Sequence, residues 1–355
     1  MLEHLTVLLA RMSFSSVVRQ RTWKKLAAQT RHGMSLDQSL RQMQNRAMLH
    51  RSASALVYTR VLEYLGLGHN LGASLTGFAS SEEALLISSG QRSGKLPEGL
   101  ELAANLLAAR QTIIRSVAGA LAYPVFLLGM CVVLLFTLSI VVMPKFAMLS
   151  NPASWKGAAA LLYRVTSFVA SPMGGIALLL LISSVATGLL TLPVWTGRLR
   201  LHVENIPPWS IYRLTVGAVW LFTLSTLMHS GMQLSHIMGN MLNSDSVSPY
   251  LRERILAMSE ESGTGKNLGD ALHDCGMNFP DAELIDDLRV YSALPGFHHR
   301  MHELAIEWMH DGVELVQRQA RFINMLGILT LTMMVCTLAL AIGSLQSQLL
   351  PAGGL

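Results

Sequence analysis

Three long stretches without a charged side chain constrain this sequence more than any other feature. They run from Ser116 to Pro144, from Val165 to Gly197 and from Phe322 to Leu355. Each exceeds the roughly 20 residues that an α-helix needs to cross the hydrocarbon core of a bilayer. Only 14% of the 355 residues are charged, whereas a soluble domain typically has about 25%. The pattern therefore predicts a polytopic, all-α membrane protein.

The predicted transmembrane helices cover residues 117–143, 174–193 and 322–345, which are apolar on every face. Lysine and arginine near the ends of these helices set the orientation, because cytoplasmic loops carry more of them. One side has seven such residues and the other has three. The side with seven is expected to be cytoplasmic, and it includes the N-terminus. The expected soluble parts are cytoplasmic helical domain 1 (1–116), a periplasmic loop (144–173), cytoplasmic helical domain 2 (194–321) and a periplasmic tail (346–355).

Residues 214–231 are the main alternative to this topology, because they could form a fourth span. The stretch is uncharged and includes the apolar run TVGAVWLFTLSTLM. Polar side chains follow closely, among them His229, His236 and Asn240. The stretch also aligns with a charged segment of the first half of the chain. We therefore favour a soluble helix here.

An internal repeat relates the two soluble parts. Gly33, Leu36 and Leu40 recur as Gly231, Leu234 and Met238, at an offset of 198 residues; Asn70, Leu71 and Gly72 recur as Asn267, Leu268 and Gly269, at an offset of 197. The sequence thus predicts two copies of one helical bundle, each followed by a membrane span. Residues 1–115 carry a net charge of +7 and residues 198–321 carry −5. Opposite fields of this kind favour packing of the two domains on each other or on further copies, or on different partners.

A glycine turn, a long basic helix and a Tyr-Pro pair opening the first span follow one another in residues 88–128, SSGQRSGKLPEGLELAANLLAARQTIIRSVAGALAYPVFLL. This pattern resembles the signature of the type II secretion F and type IV pilus C platform proteins, with the type IVb pilus branch as the nearest subgroup. Gln91 stands where that family usually has glutamate. We expect the matching residues to be mainly structural; they are Gly33, Leu36, Gly72, Gly90, Gly94, Leu96, Tyr123, Pro124, Pro144, Gly231, Leu234 and Gly269.

The resemblance implies an assembly platform in the bacterial inner membrane, and not an enzyme. Such a protein would couple a cytoplasmic hexameric ATPase to the extraction and polymerisation of pilin or pseudopilin subunits. Other implied partners are inner-membrane assembly proteins, the lipid bilayer and further copies of the chain, but no nucleic acid. Candidate contacts are charged residues that we expect to be exposed on equivalent helices of the two repeats, Glu82, Glu83, Asp286 and Asp287. A transporter or channel, or an unrelated membrane scaffold, are the alternatives.

No motif predicts a catalytic, cofactor-binding or metal site. The run Ser262–Asn267 resembles a phosphate-binding loop, but it lacks the first glycine and the final Ser/Thr of that motif. His298 and His302 could share a helix face and bind a metal. The second histidine of a zinc-protease motif is absent, so a solvated helix face is the favoured interpretation.

Overall fold

The computed structural model of the chain describes residues 10–11, 13–149, 152, 155–244 and 247–349. About 81% of the chain is helical. Within the described ranges there is no β-strand, only an isolated bridge between Thr76 and Ala79. The all-α prediction is therefore confirmed.

The helices are α1 Ser16–Arg31, α2 Leu36–Leu49, α3 Ser54–Gly66, α4 Leu71–Ser74, α5 Ser81–Arg92, α6 Leu96–Thr137, α7 Met143–Leu149, α8 Ala158–Ala170, α9 Pro172–Thr191, α10 Arg198–Val203, α11 Trp209–His229, α12 Leu234–Leu242, α13 Pro249–Gly263, α14 Leu268–Asp274, α15 Ala282–Ser292 and α16 Phe297–Leu349.

These helices form two compact units. The first contains Met1–Arg115 and Pro193–Val313, and the second contains Ser116–Leu192 and Glu314–Leu355. In the first unit, consecutive short helices pack on each other, α1 on α2, α2 on α3 and so on through α5. The corresponding helices α11 to α15 do the same. The first unit thus contains residues 1–115 of the predicted domain 1 and residues 194–313 of the predicted domain 2, whose last eight residues belong to the second unit.

Local sequence explains where these helices begin and end. Gly33 has a positive φ of 85° after α1, a conformation that glycine adopts without steric cost. Ser35 then caps α2 by accepting a hydrogen bond from the Gln38 backbone N–H. Ser80 and Glu83 form a capping box at the start of α5. These polar caps satisfy the free backbone N–H groups of the first helical turn.

The two halves of the first unit share several structural details. Asn70 and Asn267 each cap the short helix that follows, by accepting a hydrogen bond from the backbone N–H three residues on. The turns before these caps contain Gly68 and Gly265, with φ angles of 89° and 91°. The fourth helix in each half then packs closely on the fifth. Both halves thus contain a glycine turn followed by a short helix with an asparagine cap.

Four helices in the described part of the chain are long and apolar enough to cross a membrane: Leu96–Met148, Pro172–Thr191, Trp209–His229 and Arg300–Gly343. One of them differs sharply in its surroundings. In Trp209–His229, 72% of the most apolar 18-residue stretch is buried inside the protein. In Pro172–Thr191, only 6% of the corresponding stretch is buried. A helix surrounded by other protein helices does not need lipid to cover its apolar side chains.

In the second unit, the segment 144–173, expected as a periplasmic loop, is largely helical. Helices α7 and α8 occupy most of this segment, and Trp155, Ala159 and Leu162 are buried in a small core with Ala341 of α16. Ala159, Leu162 and Thr166 recur at three- and four-residue spacing on the buried face of α8. This helical periodicity explains why the segment folds as helix. The second unit also contains a short π-helical segment, Leu138–Val142, directly after α6.

Candidate partner-binding surface

Glu83, one of the four candidate contact residues, is fully buried. Its carboxylate accepts hydrogen bonds from Arg19 Nε at 3.1 Å and from Trp23 Nε1 at 2.9 Å. It also accepts one from the Ser80 backbone N–H at 3.2 Å. A buried carboxylate is stable only with such partners. The expectation of an exposed charge is wrong for Glu83, because this side chain joins helix α1 to the start of α5.

Glu82, the adjacent residue, is half-buried and lines a cavity of about 230 Å³ within the first unit. The cavity wall comes from both halves of the chain, with Leu107 and Arg110 of α6 opposite Tyr212 and Trp220 of α11. Nearby, Ser81 Oγ lies 2.8 Å from Ser244 Oγ. Helix α5 thus contacts the second half of the chain, and the Glu82 carboxylate lies where the two halves meet.

Asp286 and Asp287 are exposed on α15, as expected. Arg289 lies on the same helix and forms an ion pair with Asp270 of α14, with Nε and Oδ1 3.2 Å apart. The next helix in the chain begins with more basic and acidic side chains, including the Arg300–Glu303 pair. The two aspartates are therefore accessible to a partner, in contrast to Glu83.

An ion pair connects corresponding helices in each half. Arg19 of α1 pairs with Glu83 at the start of α5. Arg213 of α11 pairs with Asp281, which directly precedes α15, at 3.5 Å. In both halves, an arginine on the first helix thus forms an ion pair with an acidic residue at or just before the start of the fifth helix.

A buried charge cluster in the second half was not predicted from the sequence. Arg200, Glu204 and Arg254 are each at most 2% exposed. Arg254 Nη2 lies 2.7 Å from Glu204 Oε1, and Arg200 Nε lies 3.6 Å from the same oxygen. Both guanidinium groups also lie over the ring of Tyr250, at 5.0 Å for Arg200 and 3.9 Å for Arg254. Burial lowers the pKa of Arg200 and raises the pKa of Tyr250.

The family-motif residues lie mainly at turns and helix contacts. Gly33, Gly94 and Gly231 have positive φ angles. A Cβ atom on Gly72, Gly90 or Gly269 would lie within 3 Å of a neighbouring helix. Leu36, Leu96 and Leu234 are the first residues of α2, α6 and α12. Tyr123 and Pro124 lie inside α6, and Pro144 lies in α7.

Among the residues that the structure describes, no group of three or more His, Cys, Asp or Glu side chains could hold a metal ion. His302 of α16 stacks on His229 of α11, with ring centroids 5.1 Å apart. Burial and the neighbouring His229 lower the pKa of His302. The side chain of His298 lies outside the described part of the structure, so the predicted His298–His302 helix face is not defined.

The described residues form four apolar helices of membrane-spanning length, and capped turns recur in the two halves of the first unit. These are features of an integral membrane protein. Residues 23–144 match the family "type II secretion system (T2SS), protein F". The chain is also 23% identical over 283 residues to the toxin coregulated pilus biosynthesis protein E of Vibrio cholerae serotype O1. That alignment covers 79% of this chain and 81% of the relative.

The two matches confirm the resemblance to the platform proteins of type II secretion and type IVb pilus systems. Together with the apolar helices, they support an inner-membrane location and a platform role. The family in these matches is one of structural platform proteins.

Proposed function

We propose that this protein is the inner-membrane platform of a type IV pilus or type II secretion machine, and that it couples a cytoplasmic hexameric ATPase to pilin extraction and polymerisation. One observation carries the proposal beyond the family relationship. Helix α6 runs without a break from Leu96 to Thr137. Its early residues Leu100, Ala103 and Leu107 are buried in the first unit, while Val125 and Phe126 are exposed. A continuous helix can transmit displacement from a soluble bundle to a membrane segment.

Three transmembrane helices form part of the proposal, at 117–143, 174–193 and 322–345, with the N-terminus in the cytoplasm. Domains 1–116 and 194–321 would face the cytoplasm, and residues 144–173 and 346–355 the periplasm. The burial of Trp209–His229 among protein helices supports its assignment as a soluble core helix. Shared capping and turn geometry supports a duplication of one bundle.

The topology can be tested with fluorescent-protein and alkaline-phosphatase fusions after residues 197 and 263, which flank α11 in the chain. Three spans predict fluorescence and no phosphatase activity at both positions. A fourth span predicts opposite results at the two positions, and that result would overturn the proposed domain arrangement.

Mechanical coupling through α6 can be tested by inserting a flexible Gly/Ser segment between Arg115 and Val117. Assembly of pili or secretion of the substrate should be abolished, since the inserted segment would bend freely. The same insertion in the exposed turn between Gly265 and Lys266 is the matched control, because no continuous helix passes through it. Normal assembly with the first insertion would exclude coupling through this helix.

Docking of the ATPase can be tested by co-purification after mild solubilisation. Pilins, pseudopilins, other inner-membrane assembly proteins and further copies of the chain are the other proposed partners. If the exposed acidic residues of α15 contribute, Asp286→Lys or Asp287→Lys should release the ATPase. Glu260→Lys, at an exposed position on α13, is the control. Equal retention by all three variants would remove Asp286 and Asp287 from the contact, and no ATPase even after cross-linking would refute the coupling.

A further inference from the structure

The segment that follows α9 buries two charged side chains and exposes three large apolar ones. Within it, the charged residues Arg200 and Glu204 are 0% and 1% exposed. By contrast, three large apolar side chains are exposed, Val194 by 59%, Leu199 by 74% and Ile206 by 54%. A helix at a protein–water boundary buries its apolar side chains and exposes its charges. We call Val194, Leu199 and Ile206 the outer apolar face.

Contacts with α13 fix the orientation of this segment. The Tyr250 backbone N–H donates to the Pro193 carbonyl at 3.0 Å. The Gly197 backbone N–H donates to Glu253 Oε1 at 2.9 Å. The buried ion pair between Glu204 and Arg254 holds the other end. Since these bonds hold the segment at several points, the outward direction of the outer apolar face is a property of the fold.

Lipid is the occupant that explains this arrangement. Helix α9 is apolar and ends at Thr191, three residues before Val194. Three residues of extended chain reach only about 10 Å, so Val194 lies within that distance of the end of a membrane helix. Trp195 belongs to the same segment and stacks edge-on with Trp209, at 6.0 Å between ring centroids. Tryptophan is enriched at membrane–water interfaces.

Charge on the same surface also fits a bilayer. Arg198 and His202 are exposed beside Leu199 on α10, whose last turn contains no acidic residue. An interfacial helix characteristically combines basic side chains, which meet anionic headgroups, with an apolar face at the acyl boundary. A single exposed leucine would need no explanation, but this face comprises three apolar side chains over buried charges.

We propose that the outer apolar face lies in the interface of the cytoplasmic leaflet, about 5–10 Å into the boundary between headgroups and acyl chains. The buried Arg200–Glu204–Arg254 cluster then sits directly behind a lipid-covered surface and anchors the second soluble domain to the membrane. The leaflet assignment rests on the proposed topology. Neither the family relationship nor the apolar spans require this second attachment.

The test uses the full-length protein, with Cys131, Cys275 and Cys336 replaced by alanine and one new cysteine labelled with the environment-sensitive fluorophore NBD. The label is placed by Leu199→Cys, and the protein is reconstituted in phosphatidylethanolamine–phosphatidylglycerol vesicles. Lipids brominated near the headgroup end of the acyl chains are the quencher. Two reference positions are Val185→Cys within α9 and Leu67→Cys, an exposed residue of the first domain.

Shallow brominated lipids should quench the label at position 199 by about twofold, as expected for a residue at the acyl boundary. The label at position 67 should stay unquenched, and the label at position 185 should respond best to deeply brominated lipids. Quenching at 185 without quenching at 199 would overturn this inference and leave the proposed spans intact. No quenching at 185 would instead refute the membrane assignment of α9 and with it the proposed function.

One further outcome separates lipid from protein as the occupant. A label at 199 with a blue-shifted emission but no quenching would indicate a partner protein or second copy on this face, and would overturn the lipid assignment. Labels at Val194→Cys and Ile206→Cys should behave like the one at 199. If variant 199 fails to fold, these two positions carry the same test.

Discussion

Replacing Glu83 by glutamine should destabilise the first helical domain strongly, although the substitution is nearly isosteric. The carboxylate accepts bonds from Arg19, Trp23 and the Ser80 backbone N–H. Hydrogen bonds to a charged group contribute about 1.5–3 kcal/mol each, and breaking a buried ion pair costs about 3–5 kcal/mol. The amide nitrogen would also place a donor opposite existing donors. Since the Arg19 side chain is 18% exposed and partly solvated, we expect the lower end, about 3 kcal/mol.

Hydrogen exchange of the full-length protein in detergent measures this loss locally. A loss of about 3 kcal/mol corresponds to roughly 100-fold faster exchange in α1 and α5, since 1.4 kcal/mol is about tenfold. Thermal unfolding should begin about 6–12 °C lower, at 2–4 °C per kcal/mol for a unit of this size. Glu82→Gln is the control, because its side chain is half-buried at the cavity wall; it should change stability by less than about 0.5 kcal/mol. Equal effects of the two substitutions would refute the role assigned to the Glu83 contacts.

Three further predictions concern packing and charge. Gly72→Ala should cost about 1–3 kcal/mol, because its Cβ would lie 2.1–2.2 Å from atoms of α5, whereas Gly66→Ala, with nothing within 4 Å, should fold normally in the same thermal assay. Glu204→Gln should cost about 3–5 kcal/mol by leaving the buried Arg200 guanidinium without a counter-charge, while Arg254 keeps its ion pair with Glu253; an unchanged melting temperature would contradict this. Hydrogen bonds from His273 and Lys266 lower the pKa of Asp274 to about 2. Its contribution to stability is therefore present above about pH 4 and is lost as the pH falls towards 2, so acid unfolding of the Asp274→Asn variant, followed by fluorescence, should lack this component.

Glycine turns and helix caps follow from the local sequence. Gly33, Ser35 and Gly94 each act as the local sequence indicates, because turn geometry and helix capping depend on neighbouring residues only. The helix at 158–170 was not predicted. Its apolar spacing is helical, but a short apolar segment between two predicted spans was interpreted as a connecting loop.

The candidate surface was predicted less well. Glu82 and Glu83 are adjacent acidic residues, and the sequence alone does not distinguish their environments. A capping-box pattern, Ser80 followed by Glu83, was the available signal that the second carboxylate has a structural partner. The i,i+4 spacing of Arg200 and Glu204 is typical of an ion pair. It does not indicate that Arg254 and Tyr250 bury this pair.

The sequence by itself determined that the chain is helical and membrane-embedded, since charge-free runs of this length are compatible with few other structures. It also determined the turns that recur at offsets of 197 and 198 residues. Only the tertiary structure decided which charges are buried. Whether Glu83, Arg200 and Arg254 face solvent depends on helices distant in the sequence that pack against them. Burial is a property of those long-range contacts, and no local pattern contains it.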